Sequence, residues 1–474
     1  MESRLEKEKA MSRKQISRRD ALKTIGFGTA GTILAACGAG TAPTSAPAGA
    51  GTTPTAGAAS GVGTAPATIS SSAAGSYKGK FVIVSAGNPD QNKPLIDAIG
   101  KAHQGLQVEW RNFPSERFAE LFTAAEVAGD QIDLMDLNGQ DLRRYAVGDK
   151  LRDLSNVPYL DRFQEIATQT YTIRGKLWAL PRGGISGFPF HYNKMALEQV
   201  GMNKEPETYQ DLVDLAPDLQ KAGIAPFVHP GKNIYLWPVW QFWAHAQTSG
   251  NKAVENTAKT LAGEMKFTDE EHVAALDILY RFAQDKMFIK GVNSLDSDAA
   301  WRQFSQGKAA FLYDHSYRIG TFREGKFPKL DMSLMPPVRA VEDPNVKRQL
   351  PGGTGSALCM YHKIAPERVD VAESVMDLMT SDKWVKWANE LGKDPASVNK
   401  NVQASNDPLA LKYAKECSPN QITYLDWNWP PEITRAFQEN QQALVSGSKK
   451  PADAAESIQG VLEDLYDDGY KFEI

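Results

Sequence analysis

Cysteine is almost absent from this chain: three occur in 474 residues. Cys359 and Cys417 fall in the body of the chain, too few for a disulfide framework. Spacing alone leaves open whether those two pair. No CxxC accompanies them, and the seven histidines are scattered without metal-ligand spacing, so no metal is expected. Catalytic signatures are missing too. There is no HExxH, no phosphate-cradling GxxxxGK[ST], and no GxSxG, since the glycines of "GGISGF" stand at the wrong offsets. A GxGxxG does occur at Gly26 to Gly31, but no strand precedes it and no helix unit follows, so it is no dinucleotide site. The acidic pairs Asp133/Asp136 and Asp296/Asp298 are glycosidase-like on paper; solvated loops and caps explain them more simply. Neither an enzyme nor a cofactor is expected.

Charge and aromatics are absent from one stretch altogether. Residues 38–76 contain neither, and such a composition cannot bury enough apolar surface to offset chain entropy. They read as a disordered Ala/Gly/Thr/Ser/Pro tether. Ahead of it, residues 1–37 read as an export signal. "SRRDALK" carries Arg18 and Arg19 and resembles a twin-arginine signal, with Ala21 where a bulkier residue is usual. The uncharged run from Thr24 to Ala36 is too short to span a bilayer. "LAAC" ends in Cys37 and resembles a lipobox, which implies lipidation of Cys37 and attachment to the outer face of the cytoplasmic membrane through that lipid alone. General secretion remains an alternative route. The first 36 residues hold eight Lys/Arg against four Asp/Glu, so without them the formal charge of −4 becomes −8. An acidic body argues against a nucleic-acid partner.

What is present is an ordinary globular body, 42% hydrophobic and 23% charged over the whole chain. "KFVIVSAG", "LQVEWRNF" and "QIDLMDLNG" read as strands alternating with helices, "SERFAELFTAAEVAG" among them with Ser115 as its cap. The alternation points to an α/β fold with a mostly parallel sheet. "TDEEHVAALDILYRFAQDK" reads as a helix capped by Thr268 with Glu271 completing a capping box. "IYLWPVWQFWAH" places Pro238 at a helix start, Trp237 at the cap, and Trp240 and Trp243 on one stripe.

Several segments carry a family resemblance. They are "IRGKLWALPRGGISGFPFHYNKMALEQVGM" with Gly175-Lys176, Pro181 and Tyr192-Asn193, the Pro206-Glu207-Thr208-Tyr209 turn, "FSQGKAAFLYDHSYRIGTF", "LPGGTGSALCMYHKIAPE" and the C-terminal "WNWPPEITRAFQENQQALVSG". In order and spacing they resemble the extracellular solute-binding proteins, family 1, of carbohydrate ABC importers, from about residue 80 onward. Tyr209 stands where Trp is commoner, and Asp314-His315 where small residues are usual. The resemblance implies a two-lobed type II periplasmic-binding-protein fold with a ligand cleft between discontinuous lobes. Residues 77–184 plus 338–405 would form the N-terminal lobe and 185–337 plus 406–474 the C-terminal lobe. Crossings are expected near Leu180 to Gly187, Met335 to Gly353 and residues 400 to 425. The implied partners are a sugar or oligosaccharide and an ABC importer permease.

Sugars stack their C–H faces on aromatic rings and need planar polar partners for their hydroxyls. Strand-to-loop junctions supply the candidates: Asn88, Asp90, Glu116, Asp136 and Asn138 from the first lobe, and Tyr235, Trp237, Trp240, Asp314, Trp427 and Trp429 from the second. Gly353, beside Gly352, would let backbone approach a ligand. Each has a plainer reading as a cap, turn or core residue; Trp243 is expected to be core. A polyamine-like cation is the alternative ligand, and a surface polysaccharide-active enzyme the alternative class.

Overall fold

The computed structural model describes residues 77–202, 204–323, 327 and 330–472. The export signal, Cys37 and the tether lie outside the described residues, as does the side chain of Glu116. Strands are numbered along the chain. First come β1 (Gly79–Ser85), β2 (Leu106–Asn112), β3 (Leu134–Asn138), β4 (Thr172–Ile173), β5 (Lys176–Leu177), β6 (Leu180–Pro181), β7 (Gly184–Gly187) and β8 (Phe190–Asn193). Then follow β9 (Ala225–Val228), β10 (Ala309–Tyr313), β11 (Met332–Met335), β12 (Leu350–Thr354), β13 (Ser356–Met360), β14 (Ala396–Ser397) and β15 (Gln421–Ile422).

The first lobe is built on a sheet of order β2-β1-β3-β13-β6. β1 is apolar through FVIV and its last five residues are buried, as a central strand covered on both faces must be. β2, β1 and β3 run parallel, whereas β13 is antiparallel to both β3 and β6. The second lobe is built on β11-β8-β10-β9, in which only β9 and β10 are parallel. The sheets are therefore mixed, not mostly parallel. The chain re-enters the first sheet from the other lobe, so β13 arrives running the opposite way.

A small sheet, β14-β7-β12-β15, lies on the route between these two. The chain passes from the first sheet to the second through β6, β7 and β8, and returns through β11, β12 and β13. A third passage runs from β14 to β15 and on to the helices Pro431–Ser446 and Pro451–Asp467, which pack in the second core. Residues just after 338 stay with the second lobe. Val338 packs in its core and its carbonyl accepts from Trp243 and Gln247, while the Lys347 amide donates to Asn251 at 2.8 Å. The return to the first lobe thus begins at Leu350 and not at 338.

Local expectations fare unevenly. Pro238 does start the helix Pro238–Thr248, but every residue from Pro238 to Gln247 is buried, so this helix has no solvent face. Helix Glu270–Gln284 begins after Asp269, with no side-chain cap. Glu271 turns inward instead, accepting from Asn256 at 3.0 and 2.8 Å and pairing with His245 at 2.8 Å. Ser115 does not cap Phe118–Ala128; it opens a short 3-10 turn and accepts from the Asn138 amide at 2.8 Å. Cys359 and Cys417 are free and buried in different clusters. Among the described residues, no helix is long and apolar enough to cross a membrane.

Candidate functional site

A cavity of about 330 Å³ opens where the two lobes face each other across the small sheet. Its lining includes Ser186 on β7, Gly353 on β12 and Gly355 just after it. Gly353 has φ +152°, and a Cβ there would meet Thr170 at 3.4 Å. The first lobe contributes Asn138, Gly139 and Gln140 at the exit of β3, the place where open α/β sheets present ligand contacts.

The second lobe contributes mostly rings. Phe188 and His315 lie 3.9 Å apart, and His315 stacks on Tyr317 at 4.6 Å and 26°. Tyr424 and Trp427 lie 5.0 Å apart at 37°. Tyr424 also meets Phe188 edge-on at 6.2 Å. Tyr235, 56% exposed, stands at the rim ahead of the buried helix. Burial, aided by Arg318, pushes the His315 imidazole down to about 3, so its ring is neutral. Burial pushes the Asp426 carboxyl up to about 7, opposed only by its own backbone N–H.

Two further spaces join this cavity. A polar chamber of about 440 Å³ shares Asn138, Ser186 and Gly355 with it. Its wall is organised by the buried pair Arg182–Asp136 at 2.6 Å, each side chain 7% exposed. Asp136 also accepts from Ser85 and Ser356, both at 3.0 Å, and Arg182 donates to Asn92 at 2.9 Å. An outer groove of about 900 Å³ shares Gln140, Asp426 and Trp427. Trp427 therefore stands between cavity and groove.

The expected ligand residues divide. Tyr235, Asn138, Gly353 and Trp427 come together around the cavity. Trp237 does not: it is fully buried, its indole N–H donates to the Gly231 carbonyl at 3.0 Å, and it packs on His229 and Phe288. Trp240 is equally enclosed, against Phe282, Phe288 and Tyr313. Asp314 is 1% exposed and turned away from the cavity. It accepts from Trp301 at 2.7 Å and from the His315 amide at 2.7 Å, with Arg318 at 3.8 Å. Trp429 stacks on Phe437 at 4.3 Å and faces the groove, not the cavity. Asn88 caps the helix Pro89–Ala102 by accepting from the Asp90 amide, and both side chains are exposed in that first turn. Asp136 lines the polar chamber, but its oxygens are taken by protein donors. Phe188, His315, Tyr317, Tyr424 and Asp426 were missed. Only their position just after β7, β10 and β15 could have flagged them.

Other acidic candidates serve structure. Asp133 is fully buried and accepts from Arg368 at 2.7 Å and from the Val82 amide at 2.7 Å. Asp296 caps the helix Ser297–Ser305, with Asp298 in its first turn. Away from the cleft, donor atoms of His245, Glu271 and His272 lie within 4.8 Å of one another. Glu271 is already committed to His245 and Asn256, and His272 Nε2 to the Thr260 hydroxyl at 2.9 Å.

The sequence profile of the bacterial extracellular solute-binding proteins matches residues 94–410. The chain belongs to that family. Solved structures of family members share the two-lobed fold. A family 1 extracellular solute-binding protein from Bifidobacterium longum subsp. infantis superposes with TM-score 0.71 at 14% identity, over 82% of this chain and all of that one. Apo RafE from Streptococcus pneumoniae gives 0.67 at 18% identity, over 82% and 99%; RafE is also solved in complex with raffinose. The GacH receptor of Streptomyces glaucescens, solved unliganded and with acarbose, gives 0.61 at 18% identity, over 83% and 99%.

Proposed function

We propose that this solute-binding protein is a receptor for a sugar or oligosaccharide, which it encloses between its lobes and delivers to the permease of an ABC importer. The observation that carries this reading is the cavity wall. Tyr235, Tyr317, Tyr424 and Trp427 offer ring faces for pyranose C–H groups, and Asn138, Gln140, Ser186 and Asp426 offer planar or hydroxyl partners for sugar hydroxyls. The ligands named for RafE and GacH support it. The three passages through the small sheet supply the hinge, so closure buries the ligand and brings into register a surface the permease reads. Export by the N-terminal signal and lipidation of Cys37 would hold the receptor at the outer face of the cytoplasmic membrane. The acidic pairs Asp133/Asp136 and Asp296/Asp298 are committed to Arg368, Arg182 and a helix cap, so neither serves as a glycosidase pair, which favours binding as the activity.

Isothermal titration of the chain with a panel of mono- and oligosaccharides tests the proposal. One-to-one binding with Kd of about 1 μM or tighter, about −8 kcal/mol, is expected. Absence of heat with every sugar at millimolar concentration would overturn it.

A further inference from the structure

Carboxylates in sugar sites accept hydrogen bonds from hydroxyls, and a basic side chain beside one also balances its charge. The cleft of this protein contains one such balanced carboxylate, Asp136, paired with Arg182. It also contains two that are not balanced. Asp426 lies where the aromatic cavity meets the outer groove, beside Trp427. Asp394 lines the polar chamber, packed so closely on β7 that a Cβ on Gly184 would fall 1.9 Å from its own Cβ, and it also lines a neighbouring cavity with Arg323, Lys383, Lys386 and Lys393. Among the described residues, no basic side chain comes within ion-pair distance of either carboxylate. Arg143 shares the groove with Asp426, but it sits over the Phe472 ring at 4.3 Å and reaches Asn428 at 3.4 Å.

An unbalanced carboxylate that a ligand further desolvates must take up a proton or find a positive charge. Burial already pushes both groups up to about 7. His315, among the described residues the one basic side chain in the cavity lining, is held neutral by burial, so no positive charge comes from it. Rings beside carboxylates that have backbone N–H partners but no basic partner suit a ligand that has both sugar faces and a cationic nitrogen.

We propose that the solute is an amino sugar, a glycan unit bearing a free protonated amine, with Asp426 as the counter-ion beside the Trp427 ring and Asp394 as a second acceptor in the polar chamber. The proposal rests on the carbohydrate reading above and narrows it. The amine donates a charge-assisted hydrogen bond to Asp426 while the same or the adjoining ring lies on Trp427. An N-acetylated unit fills the same space but leaves Asp426 without a counter-ion.

The test compares three oligomers of equal length by calorimetry at neutral pH: glucosamine, N-acetylglucosamine and glucose, all β-1,4-linked. The glucosamine oligomer should bind about tenfold more tightly than the other two, the scale of one charge-assisted hydrogen bond. Asp426→Asn, nearly isosteric, should bring that ratio close to one. In the unaltered protein, added salt should weaken the glucosamine oligomer alone, a readout that holds even if the variant does not fold. Equal or tighter binding of the neutral oligomers would overturn the amino-sugar assignment while leaving the sugar receptor standing. Binding of a linear polyamine with no binding of any of the three sugars would overturn both.

Discussion

Gly139 is the position at which one added methyl group should be felt most directly in ligand affinity. It follows β3 on the first lobe, and its amide donates to the Gly355 carbonyl at 2.9 Å. A Cβ at this site would lie 2.8 Å from two ring carbons of Trp427 and 3.0 Å from the Thr354 carbonyl. Carbon atoms in contact prefer about 3.5–4.0 Å, so the ring must retreat by roughly 1 Å. The carbonyl belongs to β12 and cannot yield in the same way. Overpacking of this kind costs about 1–3 kcal/mol. Trp427 approaches from the second lobe, between Leu425 and Trp429 of its core. The Trp427 share of the cost therefore falls on the arrangement in which the two lobes meet, and only the smaller Thr354 share persists when they part. Gly139→Ala should raise the Kd for the best-binding sugar by about 5- to 150-fold, measured by calorimetry, with the unliganded melting temperature nearly unchanged. Unchanged affinity with a lowered melting temperature would refute the reasoning, because the Gly139–Trp427 contact would then be ordinary core packing.

Three further outcomes are expected. Trp237→Ala should lower the unfolding free energy by about 3–5 kcal/mol in urea denaturation; a loss of affinity without such destabilisation would return Trp237 to the ligand site. Asp136→Ala strands the buried Arg182 guanidinium and should cost about 3–5 kcal/mol in the same assay, and a near-neutral result would mean that the pair is solvated. Stability should also fall on acidification. Burial holds His191 and His229 at about 3, below the ordinary 6.5, so the unfolded chain takes up their protons first. Their contribution is complete above 6.5 and is lost toward 3, by about 1.4 kcal/mol per pH unit for each ring at most. Asp394 and Asp426, raised by burial to about 7, gain protons in the folded chain over the same range and offset this loss. The test therefore uses a chain carrying Asp394→Asn and Asp426→Asn, in which a melting temperature that stays flat between neutral pH and about 5 would contradict the histidine contribution.

The sheets were readable in the sequence because their signals are local. FVIV in β1, between Lys80 and Ser85, and ALCM in β13, after Ser356, are continuous apolar runs, and the two-lobed order was what the family resemblance of the motifs implied. The direction of β13 was not, since it depends on a return from the other lobe that no local pattern records. At the site, loops were found more reliably than residues. The loop after β10 was singled out for Asp314, but that side chain is buried in the protein, while His315 and Tyr317 line the cavity. A shift of one residue at a strand end reverses the face, and sequence alone does not fix it. The Trp237, Trp240 and Trp243 cluster misled for a different reason. A three-residue spacing describes one stripe of a helix, yet the residues of this helix that reach the cavity are Val239 and Phe242, while the tryptophan stripe packs into the core. In the Trp427 and Trp429 pair the composition drew attention to the right turn, and tertiary packing divided it, one ring for the cavity and one for the core.

The central claim is that the space between Asn138 and Gly139 on one lobe and Tyr235, Tyr317, Tyr424 and Trp427 on the other is where the solute binds. A crystal structure of the chain with the tightest-binding oligosaccharide from the titration panel tests it most directly. The account predicts sugar density inside that cavity, with at least one pyranose face on the Trp427 or Tyr235 ring and a hydroxyl or amine at Asp426. Density confined to the outer surface of either lobe, with the cavity empty, would contradict it.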